Sequence, residues 1–255
     1  MLDVNSKSNN AAQEALNMIE ALKDKLYNKN RFFCTSDPVL DILYTTIPTD
    51  KPKIPTGTIL YRARVMPNLD PASWYYLQEL RKYKHEAMKP FKGYNAEESM
   101  QPMPNKMRNG RTNPSLMACL YTARDFRTAI YEVKPKTEDI VSVAKIKTLT
   151  DINVIDLSVL SLAKDISEQD EVSQWILSFI VGEFLAVCQD SEKDYIFTQY
   201  ISDFYKTQGF TAIEFSSSLD KSGKNVTIFK PENCEAISSD IYKIDTINLS
   251  FSRIE

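Results

Sequence analysis

A single carboxylate stands in an apolar setting. In "RDFRTAIYEV", Glu132 follows Ala129, Ile130 and Tyr131 and precedes Val133, so it interrupts a helical run of apolar side chains. A carboxylate so placed either looks to solvent or lines a cavity, because burying it without a partner is strongly unfavourable. Arg62 lies in "TILYRARV", whose β-branched and aromatic content reads as a strand with Arg62 and Arg64 on one face and Tyr61 and Ala63 on the other. An arginine among such neighbours serves either a structural ion pair or an anionic ligand that its planar fork matches. Arg111 and Asn113 sit on the turn "GRTNP", with Tyr121 a short apolar step further on. The serines Ser216, Ser217 and Ser218 fall where the strand "TAIEF" ends, a common place for binding groups and equally for a turn-forming polar cluster.

Several chemistries lack their parts. No GxSxG elbow accompanies the serines, and the one histidine, His85 in "RKYKHEAM", lies in a polar helical stretch, so a serine or cysteine hydrolase with a histidine base is not expected. Cys34, Cys119, Cys188 and Cys234 are widely spaced and form neither a CxxC nor a zinc-type cluster; they read as reduced core thiols, and no metal site is expected. There is no GxxxxGK[ST] loop and no GxGxxG after a strand, which removes P-loop NTPases and Rossmann dehydrogenases. A formal net charge of -3 argues against a nucleic-acid duplex as partner. The opening "MLDVNSKSNN" has no signal-peptide character, which points to the cytoplasm, and "WILSFIVGEFLAVC" is too short and too interrupted to span a membrane.

The elements that must position these residues follow from periodicity. With 255 residues, 43% hydrophobic and 25% charged, the chain suits one large globular domain with an extension. Leu16, Ile19, Leu22 and Leu26 mark an amphipathic helix over 11–28, whose stripe docks on the remainder or on a second subunit or inhibitory partner. "IPTDKPKIPTG" is a proline-rich approach to the Arg62 strand, residues 72–90 read as helical, and "KGYNAEESMQPMPNKMRNGRTNP" reads as a long loop. "SLMACLYTA" then fits a buried strand, "RDFRTAIYEV" a helix stopping near Pro135, and "DIVSVAKIKT" and "NVIDL" further strands. Residues 170–188 form a helix, as does "TQYISDFYKTQG", with Thr198 as N-cap and Gly209 at its C-terminal cap. "TAIEF" and "VTIFK" flank a polar loop as a hairpin.

Three ordered segments carry a resemblance. "GTILYRAR" with Arg62, "GRTNPSLMACLYTARDFRTAIYEVKP" with Tyr121 and, eleven residues on, Glu132, and "YIFTQYISDFYKTQGFTAIEFSSSLDKSGKNVTIF" with Ser217, Gly223 and Asn225 resemble the RES family, named for its Arg, Glu and Ser. Thr112 stands where many members carry an aromatic residue, and residues 1–50 are additional to the pattern. The resemblance implies an α+β fold similar to ADP-ribosyltransferases, two small β-sheets with flanking helices, over residues 51–245, after an N-terminal helical extension at 1–50. It implies NAD as substrate, cleaved between nicotinamide and ribose by hydrolysis or phosphorolysis, with inorganic phosphate as co-substrate in the second case and no separate cofactor. It further implies use as a toxin or anti-phage effector, with an antitoxin or inhibitory protein, or a second copy of the chain, as partner.

On this pattern Glu132, Arg62, Tyr121 and Ser217 carry catalysis, with Ser218 as the neighbouring register. Tyr61, Arg62, Arg111, Asn113, Tyr121, Ser217, Ser218 and Asn225 bind the dinucleotide. One carboxylate suffices because nicotinamide is cationic before departure and leaves neutral, unlike the alkoxide of an ordinary glycoside, which needs a second carboxyl as acid. A buried Glu132 would stabilise the charge that develops on the ribose, Arg62 or Arg111 would fork the pyrophosphate, Tyr121 would stack, and Ser217 would position the amide or ribose. Two alternatives share these residues: transfer of ADP-ribose to a macromolecule, and a non-catalytic NAD or ADP-ribose sensor in which Glu132 is sealed against a Lys or Arg.

Overall fold

A computed structural model describes residues 2–31, 36–67, 91–100, 109–158, 170–186 and 192–247. The helix expected over 72–90, with His85, and also Cys34 and Cys188, lie outside the described residues. In chain order the elements are α1 (Leu2–Asp24), α2 (Pro38–Thr45), β1 (Lys53–Ile54), β2 (Ile59–Val65), α3 (Ala96–Met100), β3 (Leu120–Ala123), α4 (Phe126–Glu132), β4 (Ile140–Thr148), β5 (Ile152–Asp156), α5 (Glu171–Leu185), α6 (Ile196–Thr207), β6 (Ala212–Ser216), β7 (Lys224–Ile228) and β8 (Cys234–Lys243). The class is α+β.

The strands hydrogen-bond in the order β1-β5-β6-β7-β3-β2-β4-β8, antiparallel throughout except for β5 with β6. β2 pairs with β4 along its whole length, and β3 does the same with β7. Between β2 and β3 the register holds only Tyr61↔Ala123. The eight strands thus form one sheet, in which β2 and β3 are joined at a single residue pair. This seam is what makes room for a cleft.

Three apolar clusters fix the layers. Ile19, Leu22 and Leu26 of α1 and its π-helical continuation Lys25–Lys29 pack with Val39 and Leu43 of α2, Ile176, Leu177, Ile180 and Phe184 of α5, Ile201 and Tyr205 of α6, and Ile213 and Phe215 of β6. A second cluster joins Leu60, Leu120, Ile146, Ile152, Val226 and Ile228 across the sheet, and a small third one seats Ala129 of α4 on Ala63, Ala123, Val141 and Val143. The N-terminal helix thus docks within the chain. No described helix is long and apolar enough to cross a membrane.

Local signals account for most boundaries and correct several expectations. α1 begins well before residue 11, and its stripe uses Ala15, not Leu16, which is 38% exposed; Ala15 lies four residues from Ile19 and so on the same face. The expected long loop contains α3, whose start is a reciprocal pair: Glu98 N donates to Asn95 Oδ1 and Asn95 N to Glu98 Oε2. Thr198 is not an N-cap, because a 3-10 turn over Glu192–Tyr195 runs straight into α6 and leaves its hydroxyl donating to Tyr195 O. Gly209, at φ +83°, does stand just past the end of α6. The strand expected over "SLMACLYTA" narrows to β3, and β8, which closes one edge of the sheet, was not anticipated.

Candidate active site

α4 is launched by Asp125, whose carboxylate accepts from Thr128 N at 2.8 Å, and it ends on Glu132. Across from it the β6–β7 hairpin brings Ser217 and Asn225 to the same carboxylate. Ser217 Oγ donates to Glu132 Oε1 at 2.6 Å and Asn225 Nδ2 donates to the same oxygen at 2.8 Å. Ser217 Oγ in turn accepts from Leu219 N at 3.1 Å and Asp220 N at 3.0 Å, so the loop that follows it holds the hydroxyl in place. Gly223 lets that loop close on α4: a Cβ there would lie 2.2 Å from Thr128 Oγ1. Both side-chain donors use Oε1, and among the described residues Oε2 has no partner.

Where β2 and β3 part, a cleft of about 450 Å³ opens, within the range of roughly 300–1,000 Å³ usual for small-ligand sites. Tyr61, Arg62 and Ala63 form one wall, Gly110, Arg111, Tyr121, Thr122 and Ala123 another, and Ala129, Glu132, Val133, Lys134, Tyr195, Phe215, Ser218, Leu219 and Asn225 complete it. Arg62 donates through Nη1 to the carbonyl of Met100 and meets no carboxylate among the described residues. Burial, with the Arg64 charge beside it, pushes the Arg62 guanidinium down to about 9. An anion in the cleft would oppose that push.

The opposite wall is built by the 110–113 turn. Gly110 N donates to Asn113 O at 2.9 Å, and the buried Gln199 of α6 donates through Nε2 to both Gly110 O and Asn113 O at 2.9 Å. Tyr121 Oη donates to Asn113 Oδ1 at 2.6 Å and accepts from Thr112 N at 3.1 Å and Thr112 Oγ1 at 3.0 Å. Burial raises the phenol's pKa, so it stays neutral while its ring faces the cleft. Gly110 is required by contact, since a Cβ there would come within 2.3 Å of Tyr121 Oη. Arg111 directs its fork away, donating from Nη1 to Glu183 O and from Nη2 to Ala186 O, each at 2.7 Å, which caps the C-terminal carbonyls of α5.

Of the residues singled out in the sequence, Tyr61, Arg62, Arg111, Tyr121, Glu132, Ser218 and Asn225 line this one cleft. Four placements differ from expectation. Glu132 is exposed at the mouth and not buried, because it ends its helix. Ser217 is buried behind it with its hydroxyl fully engaged, and so supports the carboxylate in place of a ligand. Asn113 is buried in the turn, its amide donating to Pro114 O and Met117 O, and does not line the cleft. Arg111 lines it with both terminal nitrogens already bonded to carbonyls. Lys134, Tyr195 and Gln199 were missed; an "EVKP" run and a glutamine on an amphipathic helix carry no local sign of a cleft.

The fold and site define an α+β protein in which, among the described residues, one carboxylate, held by a serine and an asparagine, lines a cleft together with three cationic side chains. The chain belongs to the RES domain family, whose family model matches residues 75–252. No curated protein matches it. Among solved structures, the crystal structure of the M. tuberculosis MbcT-MbcA toxin-antitoxin complex aligns at 12% identity with a TM-score of 0.40, covering 80% of this chain and 92% of that one.

Proposed function

We propose that the protein cleaves the nicotinamide–ribose bond of NAD. The observation that carries this reading is the fixation of Glu132 through Oε1 alone by Ser217 and Asn225, which leaves Oε2 for a ligand in the cleft. As the C–N bond breaks, its electron pair returns to the nicotinamide ring, which departs neutral without an acid. Positive charge then grows on the ribose, and a carboxylate already oriented there stabilises it with little reorganisation. Arg62 holds the pyrophosphate with the guanidinium nitrogens not given to Met100, and the ring of Tyr121 packs on the ribose or nicotinamide. The ribosyl group passes to water or to inorganic phosphate. The setting we infer is the cytoplasm, where depletion of NAD would act as a toxin or an anti-phage effector under an inhibitory partner.

A sensor without catalysis would seal Glu132 against a Lys or Arg, whereas its partners here are a serine and an asparagine. The test is Glu132→Gln, which keeps the shape and removes the charge. Release of nicotinamide from NAD should fall by about two orders of magnitude, the equivalent of roughly 3 kcal/mol of lost charge stabilisation, with NAD still bound. Parent-level release by the folded variant would remove Glu132 from the mechanism.

A further inference from the structure

Among the described residues the cleft is lined by three cations, Arg62, Arg111 and Lys134, against one carboxylate, Glu132, in a chain whose formal net charge is -3. The cations are not equivalent. Arg111 has committed its fork to the carbonyls of Glu183 and Ala186, and Arg62 has given Nη1 to Met100 O. Lys134, two residues beyond Glu132, has neither an ion pair nor a side-chain hydrogen bond among the described residues.

Its backbone is unusual as well. Lys134 has φ +46°, the left-handed region in which a chain leaving a helix ordinarily carries Gly or Asn, and it is held there by Lys134 N donating to Tyr131 O at 3.0 Å. A glycine would relax this position. The chain instead keeps an exposed lysine in the lining of the cleft, two residues from Glu132, and an oxyanion approaching Glu132 meets a carboxylate unless a cation offsets it.

We propose that Lys134 is the cationic part of a second phosphoryl-binding subsite of the cleft, separate from Arg62. Its ligand is a tetrahedral phosphoryl oxyanion, and two sources share that chemistry: the dinucleotide's own pyrophosphate and free inorganic phosphate. The first source rests on the reading of the cleft as an NAD site; the second does not.

The test titrates the full chain with inorganic phosphate and, separately, with NAD, by calorimetry in a phosphate-free buffer, the NAD titrations being run on chains that also carry Glu132→Gln so that the dinucleotide is bound and not consumed. Three variants are compared with the parent: Lys134→Gln, Lys134→Gly and Lys134→Arg. Loss of one charge-assisted contact should weaken the responding ligand by about tenfold in the Gln and Gly variants, with Arg restoring most of it. Lys134→Gly should melt no lower than the parent, because it relieves the left-handed backbone, so weaker binding in that variant is not a folding effect. A response confined to phosphate identifies the free anion, and one confined to NAD identifies the dinucleotide's own phosphates. If the Gly variant binds both probes as the parent does, or if the parent binds neither, the subsite does not exist. A parent that consumes NAD with no change in the Gly variant would overturn this subsite and leave the proposed reaction standing. Phosphate binding that depends on Lys134 in a parent that ignores NAD would do the reverse.

Discussion

Replacing Ser217 with alanine strikes the support of the carboxylate without touching the ligand. It removes one of two donors to Glu132 Oε1 and the acceptor shared by the amides of Leu219 and Asp220. A hydrogen bond to a charged group contributes about 1.5–3 kcal/mol, and the low end applies here because Glu132 is open to solvent. The two stranded amides add about 1 kcal/mol each at most, since their residues are half-buried and water can reach them. Stability should therefore fall by about 1.5–3.5 kcal/mol. Asn225 still holds Oε1, so the carboxylate loses one of its two restraints, and turnover should drop by about tenfold, the rate equivalent of roughly 1.4 kcal/mol. The effect acts through Glu132, so Ser217→Ala placed on Glu132→Gln should slow the reaction by much less than tenfold again. Initial rates of nicotinamide release, read beside a thermal melt and NAD affinity, separate the cases. A folded Ser217→Ala that keeps parent turnover refutes the support role. Weakened NAD affinity with turnover per bound substrate unchanged would return the hydroxyl to direct contact with the ligand.

Arg62→Lys should weaken NAD binding, and more so at alkaline pH. The surroundings that push the guanidinium to about 9 would depress a lysine in the same direction, and a lysine starts about two units lower, so its charge and the binding it supports are lost at a lower pH than those of the arginine. Binding by the lysine variant that is flat from pH 6 to pH 9 would show that Arg62 does not hold the phosphates. Leu22→Asp buries a carboxylate in the cluster of α1, α2, α5 and α6 and should lower stability by about 3 kcal/mol or more, with deletion of residues 1–30 lowering the melting temperature too. An unchanged melt in either would mean that the N-terminal helix does not pack on α5 in solution.

How legible this was depended on the range of the interaction concerned. Arg62 on a β-branched strand, Tyr121 after a Gly-Arg turn and Glu132 on an apolar helix could be read because each signal is local, in propensity or motif spacing. The α1 stripe could be read as well, but alanine and leucine are both apolar, and hydropathy did not separate Ala15 inside from Leu16 outside. The support of Glu132 was not legible. Ser217 lies 85 residues and Asn225 93 residues from it in the chain, and only the pairing of β3 with β7 closes that distance. The structural engagement of Arg111 was not legible either, because a guanidinium fork suits helix-end carbonyls as well as phosphates, and α5 is distant in sequence. β8 escaped notice because "CEAISSDIYK" alternates poorly, its strand state being imposed by the long β4 beside it.

The most direct measurement is mass spectrometry of the products after the purified chain is incubated with NAD, with and without inorganic phosphate, beside Glu132→Gln. The account predicts free nicotinamide from the parent in equal amount to ADP-ribose or its phosphorylated form, and about a hundredfold less of both from the variant. Intact NAD after incubation with the parent, or ADP-ribose recovered attached to a macromolecule, would contradict it.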